Sequence, residues 1–301
     1  MKSLSNEKLQ AKIKEKLWLL LLVGIPILQF LLLFVWVKID SVVLAFQEYT
    51  GNPSSEFVFA GMSNFAEVFS SIVVTRELGK MFLNSIKVYL IGFAFFPIHI
   101  LIAYIIWYKV PLAGAYKVIL YLPSILPGMV FTLAYKYFLE LGLPVLTANP
   151  ASGDLLYNPN SAFFALMFYQ VFMGLPSGLV IYLGTISGVN ESVVEYARLD
   201  GLGMFGQLWH IVLPHIFPTV SAFIVAGVCG ILTADCGLYS FFGENAPSKL
   251  HTIGYHMQVY TLKGKRYYPY LSALGLVITA VAIPVTFTVR RLLEKYGPSE
   301  D

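Results

Sequence analysis

The sequence predicts an all-α, polytopic membrane protein with six transmembrane helices. Three observations carry that expectation. Apolar residues make up 57% of the 301 residues and charged ones only 12%, with a mean hydropathy of +0.71. A soluble domain runs at about 45–50% apolar and about 25% charged. The apolar residues are gathered into six runs, each close to the roughly 20 residues a helix needs to cross a bilayer core of about 30 Å. Basic residues press against the first and last of those runs. This composition excludes a soluble enzyme, a disordered chain and a nucleic-acid binder; the net charge of +3 comes from the basic tails and calls for no polyanionic partner.

The first run, 17–37, follows Lys8, Lys12, Lys14 and Lys16 and is interrupted only by Gln29, with Pro26 inside it. A basic start before an apolar run also describes a cleaved signal peptide. This run is too long for that, and Lys38-Ile39-Asp40 offers no small-x-small cleavage site, so a retained helix is expected. The other runs are 88–107, 118–138, 162–186, 219–238 and 271–289. Gly92, Pro97, Pro123, Pro127, Gly174, Pro176 and Pro284 fall inside them, breaks that neighbouring helices in a membrane can absorb. The expected organisation is a tail at 1–16, a six-helix region at 17–289 and a tail at 290–301.

Six spans place both termini on one side. With the N-terminus inside, Lys2, Lys8, Lys12, Lys14, Lys16, Lys109, Lys117, Arg198, Arg290, Arg291 and Lys295 become cytoplasmic, many beside span ends. The remaining basic residues are spread over long loops, so the positive-inside rule predicts cytoplasmic termini. Three outer loops are then long, at 38–87, 139–161 and 239–270. In the first of them, Gly61-Met62-Ser63-Asn64-Phe65 reads as a turn into a short amphipathic helix.

The cytoplasmic loop 187–217, between spans four and five, has a helical pattern of its own. Asn190 is placed to cap a short helix, with Glu191 in its first turn where the dipole favours an anion. That helix should run to about Leu199 and stop at Asp200-Gly201, glycine supplying the left-handed cap. A second helix resumes near Met204 and meets Pro214 and Pro218. Such a helix–turn–helix is shaped to dock in a groove of a soluble partner.

Residues 195–218 resemble the signature of permease subunits of binding-protein-dependent ABC importers, Glu-Ala-Ala-x-x-Asp-Gly-Ala followed by Ile-x-Leu-Pro. The matching positions are Glu195, Ala197, Asp200, Gly201, Ile211, Leu213 and Pro214; Tyr196, Leu202 and Leu208 depart from the pattern. The Asp-Gly pair resembles the carbohydrate-uptake branch. So do 57–65, similar to the Phe-x-Gly-Leu-x-Asn-Phe stretch of maltose- and glycerol-phosphate-type first permeases, and 243–247, similar to their Gly-Gly-Pro loop. The resemblance implies that the loop is a coupling helix seated in a cleft of an ATPase subunit. Glu195 and Asp200 would face the ATPase, Gly201 would make the turn, and Leu213-Pro214 would anchor the return. It further implies a second six-helix permease, two ATPases, an extracytoplasmic solute-binding protein and a carbohydrate cargo, in the cell membrane of a bacterium or archaeon.

No Gly-x-x-x-x-Gly-Lys-Ser/Thr occurs, so ATP and Mg are expected on the separate ATPase and no cofactor on this chain. His99, His210, His215, His251 and His256 lie in different segments, which predicts no metal site, and no arrangement of residues reads as catalytic. Cys229 and Cys236 lie seven residues apart, about 10 Å on a helix, too far for a disulfide, and read as small buried hydrophobes. Lys87 and Lys136 sit at span ends and can snorkel; His99 reads as a satisfied core histidine. Asp235 stands out in an apolar run, beside Thr233, and the family resemblance places that part of span five on the translocation path. Tyr135, Tyr169 and Gln170 join it as candidates, because rings stack on sugar faces and amides take hydroxyls; a membrane core accounts for the tyrosines as well. Three other readings stay open: a permease for glycerol phosphate or another polar solute, a secondary transporter with Asp235 or His99 as proton relay, and a structural scaffold. No internal repeat favours the secondary transporter, and a scaffold gives no reason for the loop.

Overall fold

Residues 2–52, 56–108 and 110–298 are described by a computed structural model of the chain. Lys109, counted above in a cytoplasmic loop, and the last three residues of the C-terminal tail lie outside them. Helices dominate, in the order α1 (Lys2–Phe30), α2 (Trp36–Leu44), α3 (Ser63–Val73), α4 (Glu77–Trp107), α5 (Ala113–Ile125), α6 (Gly128–Tyr137) and α7 (Leu143–Thr147). They continue as α8 (Pro159–Ile186), α9 (Glu191–Leu199), α10 (Met204–Gln207), α11 (Leu213–Gly230), α12 (Leu238–Phe242), α13 (Ile253–Leu262) and α14 (Tyr268–Tyr296). One hairpin, β1 (Gln47–Tyr49) with β2 (Phe57–Phe59), separates α2 from α3.

Six helical stretches among the described residues are long and apolar enough to cross a membrane: Trp18–Leu44, Glu77–Trp107, Gly128–Thr147, Asn160–Ile186, Met204–Gly230 and Lys265–Tyr296. Two of them are shifted from the expected runs. The run 118–138 straddles a break, because Leu126 is extended and Pro127 caps a new helix, so the third span begins at Gly128. The run 219–238 overshoots at its end: α11 stops at Gly230, and 231–237 is a turn with Cys236 and Gly237 at positive φ. At its start the helix begins at Met204, so the second half of loop 187–217 is continuous with the fifth span.

Five-residue π turns at Phe138–Gly142 and Leu208–Val212 join α6 to α7 and α10 to α11. Each is followed at the second position by a proline, Pro144 or Pro214. Proline has no N–H to give and its ring crowds the carbonyl four residues back, and a widened turn relieves both.

The chain falls into two units, one formed by residues 1–68 and 264–276, the other by 69–263 and 277–301. In the first, Gln47 pairs with Phe59 and Tyr49 with Phe57 across the hairpin. Asn64, buried at the start of α3, donates through Nδ2 to the carbonyls of Ala45 (2.9 Å) and Gln47 (2.7 Å). The asparagine of the 57–65 stretch therefore ties the amphipathic helix to the hairpin. Lys265 closes the unit with a 2.7 Å ion pair to Glu56.

In the second unit, α8 runs through two buried clusters. One gathers Leu166 and Tyr169 with Leu139, Leu238, Phe241 and Tyr255. The other gathers Leu179, Tyr182 and Ile186 with Tyr104 of α4 and with Val212, Ile216 and Val220 leading into and along α11. Between these clusters α8 presents Gln170, Gly174 and Gly178, spaced by four and hence on one face. Cys229 is exposed, with Sγ 3.4 Å from the Thr286 hydroxyl, contrary to its reading as a buried hydrophobe; it lies on a helix face that packing leaves open.

Candidate functional site

The loop between the fourth and fifth spans is built as its local signals dictate. Asn190 Oδ1 accepts the Ser192 N–H at 3.0 Å and starts α9, with Glu191 in the first turn. At the other end Gly201 takes φ +84°. Gly201 N–H reaches the Arg198 carbonyl (3.1 Å) and Leu202 N–H the Ala197 carbonyl (2.9 Å), the paired bonds of a Schellman cap. Gln207, 1% exposed, donates through Nε2 to the Leu202 carbonyl at 2.7 Å. Tyr104 of α4 donates its hydroxyl to the Met204 carbonyl at 3.0 Å, and Arg198 lies 5.0 Å over the Tyr108 ring. The turn is thus held from three sides.

What this turn presents is two carboxylates, several apolar side chains and the exposed Arg198. Glu195 and Asp200 are exposed, and so are Tyr196, Leu199, Phe205 and Trp209, with Leu199 at 83%. Val194 turns inward and is buried. Of the seven matched positions, Glu195, Asp200 and Gly201 lie on the exposed surface. Ala197 is half-buried and supplies the capping carbonyl, while Ile211, Leu213 and Pro214 are half-buried around buried Val212. The turn is thus a capped protrusion that exposes several large hydrophobes side by side.

A second site lies at the far end of the fifth span. The turn 231–237, α4 and α8 enclose a cleft of about 500 Å³ lined by His99, Gln170, Gly174, Asp235, Cys236 and Gly237 among others. Asp235 is half-buried, and its oxygens accept the N–H groups of Gly237 (3.1 Å) and Tyr239 (3.4 Å), so its carboxylate caps α12 as well as facing the cleft. The turn is clamped from behind by α13. Thr252 Oγ1 donates to the Ala234 carbonyl at 3.1 Å, and a Cβ on Gly254 would run into the Ala234 backbone. Burial, then the Asp235 charge, pushes the Cys236 thiol up to about 12.

The sequence candidates divide here. Asp235 and Gln170 line the cleft together. Thr233 is exposed, and its hydroxyl donates to the Gly230 carbonyl at 3.3 Å rather than toward the cleft. Tyr169 is buried, with its hydroxyl 2.6 Å from Thr132 Oγ1, and Tyr135 donates to the Ala165 carbonyl at 3.0 Å; both pack in the cluster around Phe241. His99 lines the cleft, and among the described residues its buried Nε2 has no hydrogen-bond partner, so it is not the satisfied core histidine expected. The signal that would have found it is the Gln170–Gly174–Gly178 spacing, which leaves room on α8 for a facing ring. Among the described residues no group of three or more His, Cys, Asp or Glu could hold a metal ion.

Comparison with known proteins decides the family. The family described as "Binding-protein-dependent transport system inner membrane component" matches residues 96–296, a stretch that contains both the loop and His99, Gln170 and Asp235. The chain belongs to this family. As an inner membrane component of a binding-protein-dependent transport system it is a multi-pass membrane protein and a transport subunit. It is 20% identical over 289 residues to the multiple sugar-binding transport system permease protein MsmF of Streptococcus mutans serotype c, covering 95% of this chain and 98% of that one. It is 25% identical over 308 residues to the polygalacturonan/rhamnogalacturonan transport system permease protein YteP of Bacillus subtilis strain 168, covering 97% and 92%. The fold matches a solved bacterial alginate ABC transporter, in complex with alginate pentasaccharide-bound periplasmic protein, with a TM-score of 0.74 at 20% identity over 96% of this chain and 98% of that one.

Proposed function

We propose that this chain is one permease of an ATP-driven ABC importer for a carbohydrate, forming half of the path and pairing with a second six-helix permease. ATPase subunits, which carry ATP and Mg, dock on the capped turn 195–201. A solute-binding protein delivers cargo on the opposite side, and both termini are cytoplasmic. The observation that carries the reading is the rigid turn exposing Glu195, Asp200, Tyr196 and Leu199 at the head of a helix that runs to the cleft. Relatives matched over more than nine-tenths of this chain are named for sugar and polysaccharide systems, which supports a carbohydrate. The cleft supports it too: it is lined by one carboxylate, an amide and an imidazole, with no Lys or Arg among its described residues. Such a lining suits the hydroxyls of an uncharged sugar and offers no cation to the phosphate of glycerol phosphate.

The test has two parts. The chain should co-purify in mild detergent with a second permease and an ATPase, and the reconstituted complex should accumulate oligosaccharide only with ATP. Cysteines at positions 60 and 245 should be labelled from outside intact cells, and one at 196 only after permeabilisation. Labelling of 196 in intact cells would reverse the orientation.

A further inference from the structure

The cleft beside Asp235 does not end at His99. A second cleft of about 260 Å³ begins there and shares Gly92, His99 and Gly174 with the first. Its lining is different in kind, with Tyr89, Phe93, Phe96, Tyr182 and Phe223 among the residues that wall it. The rings form a continuous surface. Tyr89–Phe93 and Phe93–Phe96 stack at 6.3 and 6.2 Å, and Phe96–Tyr182 and Tyr182–Phe223 meet edge-on at 5.6 Å.

We propose that the two clefts are successive subsites for one pyranose-containing cargo, and that His99 at their joint is a cargo-contacting, specificity-determining residue. This rests on the carbohydrate reading above. A pyranose has a rim of hydroxyls and apolar C–H faces. The first cleft offers acceptors and an amide to the rim, and the second offers ring faces to the C–H surface. His99 is the polar side chain common to both. Among the described residues its buried Nε2 has no partner, whereas buried polar atoms in folded proteins are ordinarily paired. The ring lies against the glycine face of α8, 3.7 Å from where a Cβ on Gly174 would be and 3.6 Å from one on Gly178. An unpaired Nε2 at the joint of the two clefts is placed to take up a cargo hydroxyl.

The experiment uses the whole importer in proteoliposomes: this chain, its partner permease, its ATPases and its solute-binding protein. The probe is a mixture of maltotriose, cellotriose and raffinose with other neutral oligosaccharides. His99→Leu removes a polar atom that makes no bond in the fold, so its thermal unfolding midpoint should stay level or rise. Its KM for the accumulated sugar should nonetheless rise about tenfold, while His99→Gln, which keeps an amide at similar reach, stays within about threefold. An unchanged KM and rate in His99→Leu overturns the proposal. So does a loss of uptake that follows a lowered midpoint and is not rescued by glutamine, which would make His99 structural. If the wild-type complex accumulates no sugar from this mixture, nor an oligogalacturonate offered in the same assay, the carbohydrate reading fails and the two subsites fall with it, a result that does not depend on any variant.

Discussion

Leu202 and Ala197 are joined by a 2.9 Å backbone hydrogen bond that wraps the C-terminus of α9 around Gly201. The bond forms only because Gly201 is at φ +84°. A Cβ there would touch nothing within 4 Å, so any cost of substitution comes from the backbone conformation itself.

Gly201→Val should therefore carry about 1–2 kcal/mol of strain at the turn and swing α10 off its line. Membrane insertion should be normal, while cargo-stimulated ATP hydrolysis falls at least about tenfold or the ATPase is lost on purification. Gly201→Asn should be milder, since asparagine tolerates the left-handed region. Glu195→Ala, which leaves the turn intact, should weaken ATPase retention without altering thermal unfolding. Normal transport with full ATPase retention in both the valine and Glu195 variants would remove the loop from the coupling role.

Asp235 both caps α12 and lines the cleft, and substitution can separate the cap from any contact with cargo. Asp235→Ala removes the acceptors for Gly237 and Tyr239 and should cost about 1 kcal/mol at α12. Asp235→Asn keeps an acceptor for the cap but loses the charge. If the carboxylate serves only the cap, asparagine restores uptake; if it also meets the cargo, asparagine restores stability but not KM. Thermal unfolding and uptake measured on the same preparations distinguish the two.

Asn64 faces two carbonyls with one NH₂ group. Asn64→Ala should destabilise the hairpin and α3 by about 1–3 kcal/mol, the cost of buried acceptors left unpaired. Asn64→Asp should be worse, because it points a carboxylate at both carbonyls. Limited proteolysis between 50 and 60 is the readout, and equal resistance in all three proteins would contradict the tie.

His256 gives a pH dependence. Burial first, then His251 and Lys263, push its imidazole down to about 4. The unfolded chain takes up this proton near 6.5 and the folded chain only near 4. Stability is therefore full above about pH 6.5 and is lost as pH falls towards 4, by at most a few kcal/mol. His256→Phe should show a smaller drop in unfolding midpoint between pH 7.5 and 5 than wild type. Parallel drops would place the acid sensitivity elsewhere.

The parts of this molecule that follow from local chemistry were legible before any coordinates. Asn190, Glu191 and Gly201 act within four residues of themselves, and the structure has α9 starting and stopping where they direct. The third and fifth spans were displaced because a hydropathy run averages across a break. The break between Ile125 and Gly128 and the end of α11 at Gly230 both fall inside apolar sequence, where hydropathy carries no signal. Tyr135 and Tyr169 could not be sorted from Gln170 by residue type, since the same ring fills a core or lines a path. Only the Thr132 and Ala165 partners place them inside. The orphaned Nε2 of His99 was illegible for a related reason: having no partner is a property of the surroundings, visible only once α8 is set beside α4.

The helical stretch from Met204 to Gly230, continuous through its π turn, sets the capped turn 195–201 and the Asp235 cleft near its two ends. At 1.5 Å per residue its 27 residues reach about 40 Å. Pivoting by only about 5° about its Met204 end would carry the other end sideways by about 3.5 Å. That is the scale of the contacts, 3.1 and 3.4 Å, by which Asp235 holds α12. A pivot of that size would be enough to exchange the partners of Asp235, so that a push at the head of the helix would reach the cleft as a reshuffling of hydrogen bonds.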